Sequence, residues 1–162
     1  MPTGEPGRER LPAWVRVRVE VPRGSFVKRG GDGVEFVSPL PCPFNYGSVP
    51  DTLAPDGDPL DALVLGARLA LGAEVDVPVH AVVRFRDDGA VDDKLVCGAL
   101  PTDAQLRAVA RFFRAYAVAR RWMNRARGRH GDTRFLGVER LPDAGSTGPG
   151  GPDGAHIRAH NR

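Results

Sequence analysis

A strict alternation runs through Trp14-Val15-Arg16-Val17-Arg18-Val19-Glu20-Val21, with valine at every second position. Successive side chains of a strand point to opposite faces, so this segment buries one face and sets Arg16, Arg18 and Glu20 on the other. Four further runs, VEFVSP, ALVLGARLAL, EVDVPVHAVVRFR and KLVCGAL, read as strands broken by Gly and Pro before residue 101. Strands this dense, with no helix between them, predict a closed or strongly curved sheet.

The period then changes. Leu106, Val109, Ala110, Phe113 and Ala117 form one apolar helical face, Thr102 and Gln105 have the spacing of a capping box, and Gly128 is a stop signal. One helix is expected from about Asp103 to Arg127, with Tyr116 at the edge of its apolar stripe. The fold class is therefore mainly β (α+β): a sheet with a long C-terminal helix packed on it. Residues 1–142 suit a single domain, and the Gly/Pro-rich stretch 143–162 reads as a disordered tail.

No apolar stretch approaches a membrane span, and MPTGEPGRERLP lacks the apolar core of a signal peptide, so no membrane partner and a cytoplasmic setting are expected. Cys42 and Cys97 lack metal-ligand spacing and read as reduced thiols, Cys97 within a strand. The net charge of +3 and the arginines between Arg107 and Arg134 raise the question of nucleic acid. Aromatic residues amount to only 7% and do not interleave with the basic ones, which reads as a solvated face, and no nucleic-acid partner is expected.

The chemistry concentrates in two acidic clusters. Asp56-Gly57-Asp58-Pro59-Leu60-Asp61 sets three carboxylates on a turn that enters the apolar run ALVL. Asp87-Asp88-Gly89-Ala90-Val91-Asp92-Asp93-Lys94 does the same before LVCGAL. Asp-Gly and Asp-Pro are also common in plain solvated turns. Carboxylates this close repel one another unless a cation compensates, and oxygen donors without nearby His or Cys point to magnesium, with manganese as the alternative. Two such clusters converging from strand ends suit a pair of divalent ions, which can activate a water and stabilise a displaced oxygen in phosphoryl chemistry. Of the 23 basic residues only Lys28 and Lys94 are lysines, which makes both candidates for point-charge contacts to phosphate.

The run FNYGSVPDTLAPDGDPLDALVL followed by DDGAVDDKL resembles the family I soluble inorganic pyrophosphatases, across roughly residues 14 to 120. DGDPLD matches the family's D-x-D-P-x-D element, with NYG upstream and D-x-x-x-x-D-x-K downstream in the expected order. The resemblance implies a small five-stranded closed barrel of the OB type. It implies a magnesium site at Asp56, Asp61, Asp87 and Asp92 with Glu20 as an outer carboxylate, and Asp58 as the group that deprotonates the attacking water. Lys28, Tyr46, Lys94 and Tyr116 match the side chains that hold the phosphates. Relatives are commonly hexamers, so a homo-oligomer is implied.

Three positions depart from the family pattern. Gly30 stands where a second glutamate is usual, Pro39 where an arginine is, and Ala117 where a lysine follows the helical tyrosine. The resemblance implies that the two missing cations belong to the side of the leaving phosphate, and Arg29, Arg114 and Arg120 lie close in sequence to the lost positions. The activity implied is magnesium-dependent hydrolysis of inorganic pyrophosphate. The losses keep open an organic diphosphate or phosphate ester as substrate, and beyond that a non-catalytic binding module.

Overall fold

The computed structural model describes residues 11–30, 33–37, 41–55 and 57–142, with 27–30 and 33–37 described by their backbone alone. Strand β1 (Trp14–Val21) keeps the expected alternation, with Val15, Val17, Val19 and Val21 buried and Arg16 and Arg18 exposed. There follow β2 (Val27–Gly30), β3 (Gly33–Val37), β4 (Asn45–Val49), β5 (Leu60–Leu65), β6 (Glu74–Asp87), β7 (Ala90–Val91) and β8 (Lys94–Gly98). The helix α1 (Asp103–Ala126) and the strand β9 (Arg134–Arg140) complete the order among the described residues.

Hydrogen bonds run from β1 to β4, β5, β8 and β6, and β6 pairs back onto β1 from Trp14↔Pro78 to Arg18↔Glu74. These five strands form a ring, antiparallel throughout except for the parallel β5–β8 pair. The mainly-β class, the five-stranded OB-type closure and the single long helix are thus those expected. β2 and β3 make a separate hairpin, and β9 adds to the free side of β6.

The alternation of each strand separates two apolar layers. Val15, Val17, Val49, Val64, Val82 and Leu95 belong to a cluster that draws on all five ring strands and fills the interior. Their strand neighbours Leu63, Leu65, Val83 and Val96 belong to a second cluster, on the outer face, where Val109, Phe113 and Ala117 of α1 cover them. The helix starts as predicted. Thr102 Oγ1 accepts from the Gln105 amide at 3.2 Å, and Gln105 Oε1 accepts from the Thr102 amide at 2.9 Å.

The strands differ from the sequence pattern at several points. The run ALVLGARLAL carries a strand only as far as Leu65, because Gly66 turns the chain at φ 125°. Buried Asn45 fixes that turn: its Nδ2 donates to the Val64 and Ala67 carbonyls at 3.2 and 2.9 Å, and its Oδ1 accepts from the Arg23 and Leu69 amides at 3.0 and 2.9 Å. The pattern predicts none of β2, β4, β7 and β9; β9 carries no clean alternation, and its place comes from pairing with β6. Asp56, Pro39, the side chain of Lys28 and the stretch 143–162 lie outside what is described.

Candidate active site

A cleft of about 570 Å³ opens on the outer face, and every ring strand and the helix contribute to it: Glu20 from β1, Tyr46 from β4, Asp61 from β5, Asp87 from β6, Lys94 from β8 and Tyr116 from α1. Asp58 and Asp92 line it as well. Eight of the ten residues singled out from the sequence therefore share one cavity. The other two, Asp56 and Lys28, fall outside the described residues and side chains.

The positions follow from periodicity. Asp61 shares its strand face with Leu63 and Leu65, and Lys94 shares its face with Val96, so the apolar layer under α1 turns polar at one end. On α1 the apolar stripe through Val109, Phe113 and Ala117 continues into Arg120 and the buried Asn124. Close approach of β1 to β4 explains the glycine of the NYG element, because a Cβ on Gly47 would run into the Arg18 carbonyl. Tyr116 packs between the rings of Phe85 and Phe112, with centroids 5.7 and 6.1 Å away.

Lys94 is the electrostatic centre. Its side chain is 1% exposed, and Nζ donates to Asp92 Oδ1 at 2.7 Å and to Asp61 Oδ2 at 3.0 Å. Burial by itself would lower the ammonium pKa, but the charges of Asp61 and Asp92 outweigh it and raise it above the ordinary lysine value. The Tyr46 hydroxyl donates to the same Asp61 oxygen at 2.7 Å. Burial, reinforced by the Asp61 charge, holds that phenol well above its usual pKa, so it stays a donor. On the β1 side, Ser48 Oγ donates to Glu20 Oε1 at 2.8 Å.

Within the second acidic cluster the four aspartates divide. Asp88, at φ 48°, accepts from the Gly131 amide at 2.8 Å, and Asp93 accepts from the Phe85 amide at 3.0 Å and from Arg84 at 2.7 Å; both serve the loop. Asp87 and Asp92 face the cleft. Asp87 Oδ1 accepts from Asn124 Nδ2 at 2.6 Å and Thr133 Oγ1 at 3.2 Å, while Oδ2 accepts from Arg120 Nε at 2.9 Å. Partial burial would raise the Asp87 pKa, but the Asn124 bond and the Arg120 charge prevail and lower it.

Among the described residues no three His, Cys, Asp or Glu side chains stand close enough together to hold an ion as they are. Lys94 and Arg120 neutralise the carboxylates in that arrangement. The donor chemistry nevertheless fits a hard divalent cation: Glu20, Asp58, Asp61, Asp87 and Asp92 offer oxygen atoms to one cavity that no histidine lines among the described residues.

Sequence reasoning missed Asn124, Thr133, Ser48 and Arg127, the last of which lines the cleft beside Arg120. Asn124 left a readable signal, since it stands one heptad after Ala117 on the helix face that carries Val109 and Phe113. Of the three arginines named as replacements, Arg120 lines the cleft. Arg114 does not: it lies over the Phe135 ring at 5.5 Å, beside a separate groove between α1 and β9. The Arg29 side chain is outside the described set. Ala117 is buried in the apolar layer.

A family model described as inorganic pyrophosphatase matches residues 12–133. An inorganic pyrophosphatase of Sulfolobus acidocaldarius is 37% identical over 107 residues, covering 60% of this chain and 60% of that relative. One from Haemophilus influenzae is 48% identical over 62 residues, covering 38% and 34%. The matched stretches thus span from about a third to three fifths of those curated relatives. Among solved structures, the inorganic pyrophosphatase from Thermus thermophilus aligns with a TM-score of 0.64 at 25% identity, covering 86% of this chain and 87% of that one.

Proposed function

The chain belongs to the inorganic pyrophosphatase family, and on that basis we propose that it hydrolyses inorganic pyrophosphate to two phosphates with divalent metal ions, magnesium before manganese. The family is metal-dependent in general. The observation that carries the reading is the convergence of Asp61 and Asp92 on a buried lysine, in a cleft whose mouth bears the exposed Asp58. Asp61, Asp87 and Asp92, with Asp56 and the outer Glu20, would hold the ions. Bound there, such ions make water more acidic and draw charge from phosphoryl oxygens.

The chain's own residues supply the remaining steps. Asp58 takes the proton of the attacking water as its oxygen bonds to one phosphorus, and the bond from that phosphorus to the bridging oxygen breaks, releasing phosphate. Lys94 keeps its proton and offers a fixed positive charge where phosphoryl oxygens gain negative charge. Tyr46 and Tyr116 orient the phosphates through phenols that stay protonated, with Lys28 as the second lysine contact. A cytoplasmic setting and homo-oligomeric, hexameric assembly belong to the same reading; no described helix is long and apolar enough to cross a membrane.

An organic diphosphate is the second reading, favoured by the apolar part of the lining, Val21, Phe26 and Phe112, and by the cations missing at Pro39 and Ala117. Phosphate release from inorganic pyrophosphate with magnesium, beside a panel of organic diphosphates, separates the two. Asp58→Asn is expected to lower turnover by about a hundredfold or more while magnesium still raises the melting temperature. Equal rates for the two proteins would remove Asp58 as base, and no release from any member of the panel would sink both readings.

A further inference from the structure

Asp87 is held asymmetrically. Its Oδ1 takes two hydrogen bonds from neutral donors, Asn124 Nδ2 and Thr133 Oγ1, whereas its Oδ2 takes one, from the Arg120 guanidinium. Asn124 and Thr133 are also bonded to each other at 3.1 Å, and both are buried at 2% exposure. That pair fixes the carboxylate whatever happens at the other oxygen. Oδ2 is therefore the exchangeable end, able to change partner while the aspartate stays oriented.

Arg120 is equipped for the exchange. Nε is the nitrogen that bonds Asp87, and neither Nη nitrogen donates to a described residue. The side chain is 22% exposed and lines the cleft. It stands one helical turn after Tyr116, so it shares that residue's face of α1. Lys94, by contrast, is enclosed between two carboxylates, so its charge acts on a phosphate from a fixed position. Ala117 supplies no cation, so Arg120 is the charge that α1 brings to the cleft lining, with the C-cap Arg127 two turns further along.

We propose that Arg120 is an exchanging cation: it caps Asp87 Oδ2 while the cleft holds no divalent ion, and turns its guanidinium to a substrate phosphate when such an ion takes that oxygen. The inference rests on the metal-assisted reading above. It makes one side chain a competitor of the metal and a ligand of the phosphate, so its removal acts on the two affinities in opposite directions. A residue that merely packs would weaken both together or neither.

Calorimetric titration of the full chain tests this, with magnesium chloride into the metal-free protein and inorganic phosphate into the magnesium-loaded protein. Arg120→Gln keeps a donor within reach of Asp87 but no charge. It is expected to weaken phosphate binding about tenfold, the share of a charge-assisted hydrogen bond, and to tighten magnesium binding about threefold, as befits a partly exposed pair. Arg120→Lys keeps the charge and should bring phosphate affinity back to within about threefold of wild type, a recovery that packing would not produce. Unchanged affinities in the Gln variant, or a parallel loss of both, would overturn the exchange while leaving hydrolysis by the wild-type protein standing. A wild-type protein that binds neither magnesium nor phosphate would overturn the exchange together with the reading beneath it.

Discussion

Replacing Lys94 with methionine keeps the stem of the side chain up to Cε and deletes the charge that Asp61 and Asp92 share at 3.0 and 2.7 Å. The lysine is 1% exposed, but the carboxylates retain 23% and 19%, so the charges left behind stay in partial contact with water. Removing one partner of a buried pair costs about 3–5 kcal/mol, and that residual hydration places Lys94→Met at the lower end, about 3 kcal/mol. For a domain of this size such a loss lowers the melting temperature by roughly 10 °C. The two carboxylates stranded together also form a stronger cation site than before. Magnesium at about a hundred times the mutant's dissociation constant stabilises the mutant by about 2.7 kcal/mol, and the gap to wild type narrows to the extent that wild type binds the ion less tightly. Urea unfolding of wild type and Lys94→Met, with and without millimolar magnesium, reads both numbers. A loss below about 1 kcal/mol, or one that magnesium leaves unchanged, would refute the reasoning.

Asn45→Ala should cost about 3 kcal/mol in the same unfolding assay, because it strands two carbonyls and two amides in a buried turn; a loss under about 1 kcal/mol would mean that water replaces the amide. The pH dependence has two arms. Lys94 and Tyr46 both hold their protons more tightly when folded, so their contribution is complete below about pH 10 and declines as the unfolded chain begins to release protons the folded one keeps. Asp87 is shifted down, so its contribution is present above about pH 4 and is lost as pH falls from there through its folded value. Urea midpoints followed from acid to alkaline pH test both arms, and a flat profile above pH ~10 would contradict the alkaline one.

The elements that could be read in advance are those whose signal is local. The valines of β1 and the Thr102–Gln105 capping box announce their structure within a few residues, and both stand as read. β9 carries Gly137 and three charged residues among its seven, and it is a strand because β6 offers it a pairing edge. The same distinction runs through the cleft. Asp87 and Asp92 lie within the motif and line the cleft, but nothing near Asp87 in sequence points to Thr133, forty-six residues away. The Lys94 pairing with Asp61 likewise depends on the parallel β5–β8 register, in which those two residues face each other.

The interior of the ring holds a further consequence. Seven of the ten described buried residues in its apolar cluster are valine, a side chain with one rotatable bond whose rotation is restricted by branching at Cβ. Such a filling surrenders little side-chain entropy when it orders and leaves little freedom afterwards. Asp61 and Lys94 stand on the same strands, next to the inward-facing Ala62 and Leu95. Their backbone is therefore anchored from the inside by residues that have almost nowhere else to go. The charged constellation inherits its stillness from an interior with no chemistry of its own.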